Sequence, residues 1–359
     1  MNEMWCNLEE DRNKISYADA VSKGLCFAME SNEKITVMGI GTQYPSGIFG
    51  TTNEAFERFG PTRVLDVPAM ENGLTGIAVG LATEGFRPLI VHARVDFMFL
   101  SVDPIMNLIS KWKYMFGGNS GSCPVVIRAI IGRGWGQGAT HSQAFHSALG
   151  NVPGLRILMP YSVQDARDML CQSLFDEIPS IIFEHRSLYS SQGVIENNSS
   201  QALTNLTLPR RVQYGTDITL AGYSFAVHEL FQVAQVLRTE SISSDVIDLR
   251  SLYKLDLSIL AESVSRTKFL LLHDVGWKNF GAPCEIIARL AEMGALEGVR
   301  VRRICLPSTP APASQFLEQF FYPTIESIAS EALEFLGIDQ STIKLKDSND
   351  SSREFIGPY

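Results

Sequence analysis

The run Pro124-Val-Val-Ile-Arg-Ala-Ile-Ile131 is apolar at odd and even positions alike, with Arg128 as the exception. A strand of this kind has no face to offer water, so it must be covered on both sides, as the central strands of parallel sheets are. Further apolar runs occur at 34–41, 63–66, 88–92, 152–160 and 180–186. Between them, apolar and small residues recur at helical spacing over 16–30, 51–59, 73–85, 103–118 and 165–176. Strands alternating with helices in this way predict an α/β fold with a parallel, doubly wound sheet. The pattern starts again further on, with strands expected at 217–222, 245–249, 268–274 and 299–305 and helices at 228–238 and 282–293. Between the two sets lies 190–207, rich in Ser, Asn and Gln and without periodicity, which reads as a linker. The expected division is an N-terminal extension at 1–14, a domain at 15–189, a linker at 190–208, a second domain at 209–338 and a polar tail at 339–359.

Charge and cysteine usage exclude several functions. A net charge of -9, with no cluster of Lys and Arg, does not suit a nucleic-acid phosphate backbone. No apolar run approaches the ~20 residues of a membrane helix, and the first residues lack a basic start followed by an apolar core. A cytoplasmic location is the resulting expectation. Cys6, Cys26, Cys123, Cys171, Cys284 and Cys305 are widely spaced and lack Cys-x-x-Cys or Cys-x-x-His pairing, so they read as reduced and structural. The six histidines show no metal-ligand spacing, and no intrinsic metal site is expected.

The stretch Asp66-Val-Pro-Ala-Met-Glu71-Asn-Gly73-Leu-Thr-Gly76-Ile-Ala-Val-Gly80 joins a short strand to a small-residue helix whose three glycines are spaced for close packing. A carboxylate just past a strand end sits where open α/β sheets place their ligands. Read alone, Glu71 is equally a helix N-cap or a first-turn charge that complements the helix dipole. The segment resembles the cofactor-activating motif of the transketolase-like pyrimidine-binding domain, found in beta subunits of the first component of 2-oxoacid dehydrogenases. In that family the glutamate of Asp-x-Pro-x-x-Glu hydrogen-bonds a ring nitrogen of the aminopyrimidine of thiamine diphosphate. Glu71 matches it. The carboxylate favours the imino tautomer, whose nitrogen takes the proton from the thiazolium carbon.

The same resemblance assigns further contacts. Arg94-Val-Asp-Phe97-Met-Phe99 falls where the family lays a phenylalanine against the pyrimidine, and ungapped counting from Glu71 selects Phe97. Met70 and Ala93 are carried over as further cofactor contacts. By itself, the phenylalanine pair also reads as core at a strand end.

Gly132-Arg133-Gly-Trp135-Gly-Gln-Gly138-Ala-Thr140-His141-Ser-Gln143 is a loop whose glycines permit close approach to a ligand. Its Gly-x-Gly-x-x-Gly pattern lacks the helix start and the acid ~20 residues on that NAD binding requires. It resembles the family loop ending in Gln-His-Ser-Gln, which makes His141 the second catalytic candidate. Thr140 replaces the usual glutamine, and Arg133 and Trp135 occupy positions that are small in pyruvate dehydrogenase subunits. Both are taken as substrate contacts, Arg133 binding an anionic group or, alternatively, salt-bridging a partner subunit. Glu184-His185-Arg186 at a strand end reads as ion-paired structure.

The second domain resembles the transketolase C-terminal domain through Asp248-Leu-Arg-Ser-Leu, Asp274-Val-Gly-Trp277-Lys-Asn-Phe-Gly281-Ala-Pro and Pro307-Ser-Thr-Pro-Ala-Pro312. In the family this domain mainly mediates assembly. Tyr253-Lys254 departs from the usual Arg-Pro there. No Gly-Asp-Gly followed at family spacing by Asn is present, so the motif that holds Mg2+ and the diphosphate is missing. The resemblance implies an alpha subunit that supplies it, an α2β2 assembly with thiamine diphosphate between the chains, and a lipoyl acyltransferase as a further partner. The alternatives are a beta half of a split transketolase or acyloin-forming enzyme, and a non-catalytic assembly subunit.

Overall fold

The computed structural model describes residues 14–45, 47–117, 121–132, 136–195 and 206–338. Arg133 and Trp135, Cys6, the N-terminal extension up to residue 13, residues 196–205 of the expected linker and the polar tail from 339 lie outside the described residues.

The chain forms two compact units. The first opens on helix α1 (Tyr17–Ser31), where Ser16 and Asp19 make a reciprocal capping box that satisfies the free N–H groups of the first turn. It continues through β1 (Ile35–Gly39), α2 (Asn53–Phe59), β2 (Val64–Asp66), α3 (Glu71–Thr83), β3 (Arg87–His92), β4 (Val126–Ile131), β5 (Arg156–Leu158), α4 (Val163–Phe175) and β6 (Ser180–His185). The six strands are parallel throughout, in the order β2-β1-β3-β4-β6-β5. Every residue of β1, β4 and β6 is buried, as their mainly apolar character on both faces predicts. Arg128, the polar exception in β4, is neutralised inside the sheet by Glu184 of β6, at 2.6 Å from Nε to Oε1 and 2.8 Å from Nη2 to Oε2. Glu184 is thus an ion-paired structural residue.

The second unit contains β7 (Arg210–Gln213), β8 (Ile218–Gly222), α5 (Phe225–Thr239), β9 (Ser244–Asp248), α6 (Ser258–Thr267), β10 (Phe269–Trp277), α7 (Ala282–Glu292), β11 (Arg300–Leu306), α8 (Gln315–Phe321) and α9 (Ile325–Leu336). Its sheet runs β11-β10-β8-β9-β7 and is parallel except for β7, which lies antiparallel on β9 at one edge. Residues Gly132–Ala148 are grouped with this second unit, although they follow β4 in sequence.

Three expectations need correction. The helix expected over 103–118 is broken. Pro104–Ile109 forms a wide π-helical turn closed by Ser110 N–H to Ile105 O at 3.1 Å, and a separate helix, Trp112–Phe116, stops at Gly117. Pro104 has no N–H to give, and such wide turns are local insertions in helices. The three glycines of α3 do not all pack closely within this chain. Gly73 makes room for Met70, whose Cε would stand 2.9 Å from an added Cβ, whereas nothing lies within 4 Å of such an atom at Gly76 or Gly80. The expected linker also holds structure, because Gln192–Gly193 pairs antiparallel with Ile15–Ser16.

The described cysteines are all free, and burial pushes the thiols of Cys26, Cys123 and Cys305 up to about 12, which keeps them protonated and inert. Among the described residues no helix is long and apolar enough to cross a membrane, and no group of three His, Cys, Asp or Glu side chains converges as a metal site would require.

Candidate functional site

From β1 the chain moves to β2 on one side, and from β3 to β4 on the other, so the strand order reverses between neighbours β1 and β3. Such a reversal opens a crevice at the carboxyl ends of the strands, the usual ligand position of open α/β sheets. A cleft of about 80 Å³ lies there, lined by Gly39 and Ile40 at the end of β1, by Pro68, Met70, Glu71 and Leu74 after β2, and by Val91, His92, Ala93 and Phe97 at and after β3. Gly39 forms part of its floor for a steric reason. A Cβ at that position would stand 2.4 Å from Val91 O of the neighbouring strand. Thr42 Oγ1 donates to Leu65 O at 2.8 Å, and Gly41 N–H donates to Asp66 Oδ1, so the turn after β1 is tied to the end of β2.

Glu71 is the first residue of α3 and is 7% exposed. It is not the N-cap. That position is held by Met70, whose backbone is non-helical and whose side chain makes no hydrogen bond to the helix. Among the described residues no ion pair engages the Glu71 carboxylate, and Thr75 Oγ1 donates to its backbone carbonyl at 2.8 Å. Phe97 sits on the short helical turn Val95–Met98 that follows β3, and it is 38% exposed where it lines the cleft. Phe99 does not line it. The phenylalanine pair therefore lies on a helical turn, not at the end of a strand.

The structure gathers Met70, Glu71, Ala93 and Phe97 around one cleft. His141 lies elsewhere in the chain's organisation, directly after the single turn Gly138–Thr140 on the segment grouped with the second unit, and Thr140 Oγ1 stands 3.0 Å from its Nδ1.

His92 was not singled out by motif. It lines the cleft, is buried, and its Nε2 has no hydrogen-bond partner among the described residues. The available signal was a histidine closing an otherwise apolar strand. Burial alone lowers its pKa to about 4, so the imidazole is neutral at physiological pH. Unfolded, it takes up a proton near pH ~6.5. The folded state therefore keeps its full share of stability above that value and loses it as the pH falls from there through about 4. We expect His92→Phe to flatten this decline by up to ~1.4 kcal/mol per pH unit. Urea midpoints for both proteins at pH 7 and pH 5 check this, and parallel losses would rule it out.

Residues 13–192 match the transketolase pyrimidine binding domain and residues 209–328 match the transketolase C-terminal domain. The mitochondrial pyruvate dehydrogenase E1 component subunit beta of Saccharomyces cerevisiae is 30% identical over 328 residues, covering 89% of this chain and 88% of the relative. The acetoin:2,6-dichlorophenolindophenol oxidoreductase subunit beta of Cupriavidus necator is 33% identical over 292 residues, covering 80% and 84%. Among solved structures, a split-gene transketolase described as an inactive beta4 tetramer superposes with a TM-score of 0.68 over 90% of this chain and 99% of its own, at 20% identity. That last likeness concerns the fold alone.

Proposed function

The chain belongs to the transketolase-like family that includes the pyruvate dehydrogenase E1 beta subunits, and from that membership we propose that it is the cofactor-activating beta subunit of a thiamine-diphosphate-dependent 2-oxoacid dehydrogenase. The observation that carries the reading is the buried Glu71 carboxylate, without an ion pair among the described residues, opening into the same cleft as Phe97. These residues suit a flat, basic heteroaromatic ring. Thiamine diphosphate, when bound, supplies a carbon nucleophile for attack on the carbonyl of a 2-oxoacid.

Each residue then has a defined task. Glu71 accepts a hydrogen bond from one ring nitrogen and favours the tautomer able to receive a proton. Phe97 presents an aromatic face that fixes the ring plane. Met70 and Ala93 line the same cleft and supply further contacts to the ring. His141 is the acid–base group for the substrate. Arg133 and Trp135 are its proposed substrate contacts.

The diphosphate and Mg2+ belong, in this reading, to an alpha subunit in an α2β2 assembly in the cytoplasm. Exposed apolar side chains are consistent with such a partner surface: Ile77 on α3, Leu100, and Tyr114, Met115 and Phe116 on the helix before Gly117. A lipoyl acyltransferase is the proposed acyl acceptor. A split transketolase would share the same cleft, but its resemblance carries the fold alone.

Titration calorimetry tests the shared site. The isolated chain should bind thiamine diphosphate and Mg2+ weakly, and addition of the alpha subunit should restore tight binding. Micromolar affinity of this chain alone, about -8 kcal/mol, would overturn the reading.

A further inference from the structure

Among its described residues the segment that carries His141 contains no long helix and no strand, yet four contacts hold it. Gly138, at φ 61, lies against Ala313, whose Cβ would be 3.1 Å from an added Cβ. Phe145 meets Trp277 edge to face, with ring centroids 5.3 Å apart. His146 Nε2 stands 2.9 Å from Asp274 Oδ1, and both side chains are completely buried. Ser147 Oγ accepts the Ala282 N–H at 2.9 Å.

Three of these four partners come from Asp274-Val-Gly-Trp277-Lys-Asn-Phe-Gly281-Ala282, a motif otherwise known here only as a mark of resemblance. Its other residues serve the same contacts. Gly276 N–H donates to Asp274 Oδ1 at 3.1 Å, and a Cβ on Gly276 would stand 3.1 Å from His146 Cε1, so only glycine leaves the imidazole its full space. Trp277 Nε1 donates to Thr309 O at 3.2 Å, which fixes the indole that receives Phe145.

Burial raises the pKa of the Asp274 carboxyl, but His146 beside it and the Gly276 N–H outweigh that effect and hold it below the usual carboxylate range. A buried charged acceptor of this kind loses heavily if its partner is removed, whereas an apolar contact would fix the loop less specifically.

We propose that Asp274 and His146 form a clamp by which the C-terminal domain positions the His141 loop, and that the 274–282 motif serves to receive residues 145–147. Asp274 and His146 are positioning residues, and their effect on turnover rests on the acid–base role of His141 given above. The C-terminal domain then fixes the loop that carries His141.

Hydrogen exchange on the full chain and kinetics on the assembled enzyme test the clamp together. In Asp274→Asn, amides over 136–148 should exchange at least ~10-fold faster while those over 71–83 and 218–222 stay unchanged. Turnover should fall by up to ~100-fold, the scale for a misplaced catalytic group, with KM for the 2-oxoacid nearly constant. In His146→Gly, free imidazole should restore both protection and turnover. If Asp274→Asn does not fold, Gly276→Ala presses on the same imidazole and is read in the same way. Unchanged exchange over 136–148, or loosening shared equally by the strands of the second domain, overturns the clamp. A fully active His141→Ala would overturn the role of His141 instead, and the exchange data would still decide the clamp.

Discussion

In the assembled enzyme, Glu71→Gln is expected to slow proton exchange at the thiazolium carbon of bound cofactor by at least ~100-fold, the lower range for loss of a positioned acid–base group. The melting temperature should barely move. Glutamine preserves shape and can still hydrogen-bond, but it removes the charge that biases the pyrimidine tautomer. Folding should survive because Glu71 caps nothing: Met70 occupies the N-cap, and the carboxylate has no ion pair among the described residues. If Glu71 were only a first-turn charge on α3, the mutation would instead cost up to ~1 kcal/mol through the helix dipole and leave exchange intact. Deuterium exchange and melting of the same preparation separate the two, and intact exchange would remove the central acid from the proposed mechanism.

The second large effect concerns folding. Arg128→Met should destabilise the chain by about 3–5 kcal/mol, the range for leaving one member of a buried ion pair alone. Arg128 is completely buried, and Glu184 is 2% exposed. The arginine also donates from Nη2 to Thr51 Oγ1 at 3.0 Å, and Tyr189 OH donates to Glu184 Oε2 at 2.7 Å. Burial opposes the arginine's charge, but Glu184 outweighs it, so the guanidinium stays ionised, while the Tyr189 phenol is pushed well above its usual range by burial first and by Glu184 second. Adding Glu184→Leu to Arg128→Met should recover most of the loss, because the stranded charge disappears. Urea unfolding of the single and double variants checks this. A single-variant loss under ~1 kcal/mol would mean that water or a rearranged side chain satisfies Glu184.

Much of this was legible in the sequence. Runs such as Val126–Ile131, apolar on both faces except for Arg128, can be satisfied only between two layers, and the six-stranded parallel sheet is the consequence. At its strand–helix junction Glu71 read more readily as a helix cap or first-turn charge, and only the resemblance of Asp66-Val-Pro-Ala-Met-Glu71 to the family motif singled it out. Elements decided by tertiary contact were not. Strand β7 is a partly exposed edge whose Arg211 pairs with buried Asp245, and neither residue signals a strand locally. The π-helical turn keeps helix-like side-chain spacing and differs only in its hydrogen-bond partner. The clamp escaped because His146 and Asp274 are 128 residues apart, and neither carries a local pattern.

The small ribbon that pairs Ile15 with Gly193 and Ser16 with Gln192 brings the way into the first domain beside the way out. Tyr17 N–H to Ser191 O at 2.9 Å and Ala18 N–H to Tyr189 O at 3.2 Å extend the seam into the first turn of α1. A domain whose termini are paired in this way is tied at one place, apart from the excursion of Gly132–Ala148 into the second unit. It can be joined to other sequence at either side, or carried within a longer polypeptide, without threading a new connection across its sheet. Extending or cutting the chain at this seam then leaves the strands that form the cleft in place.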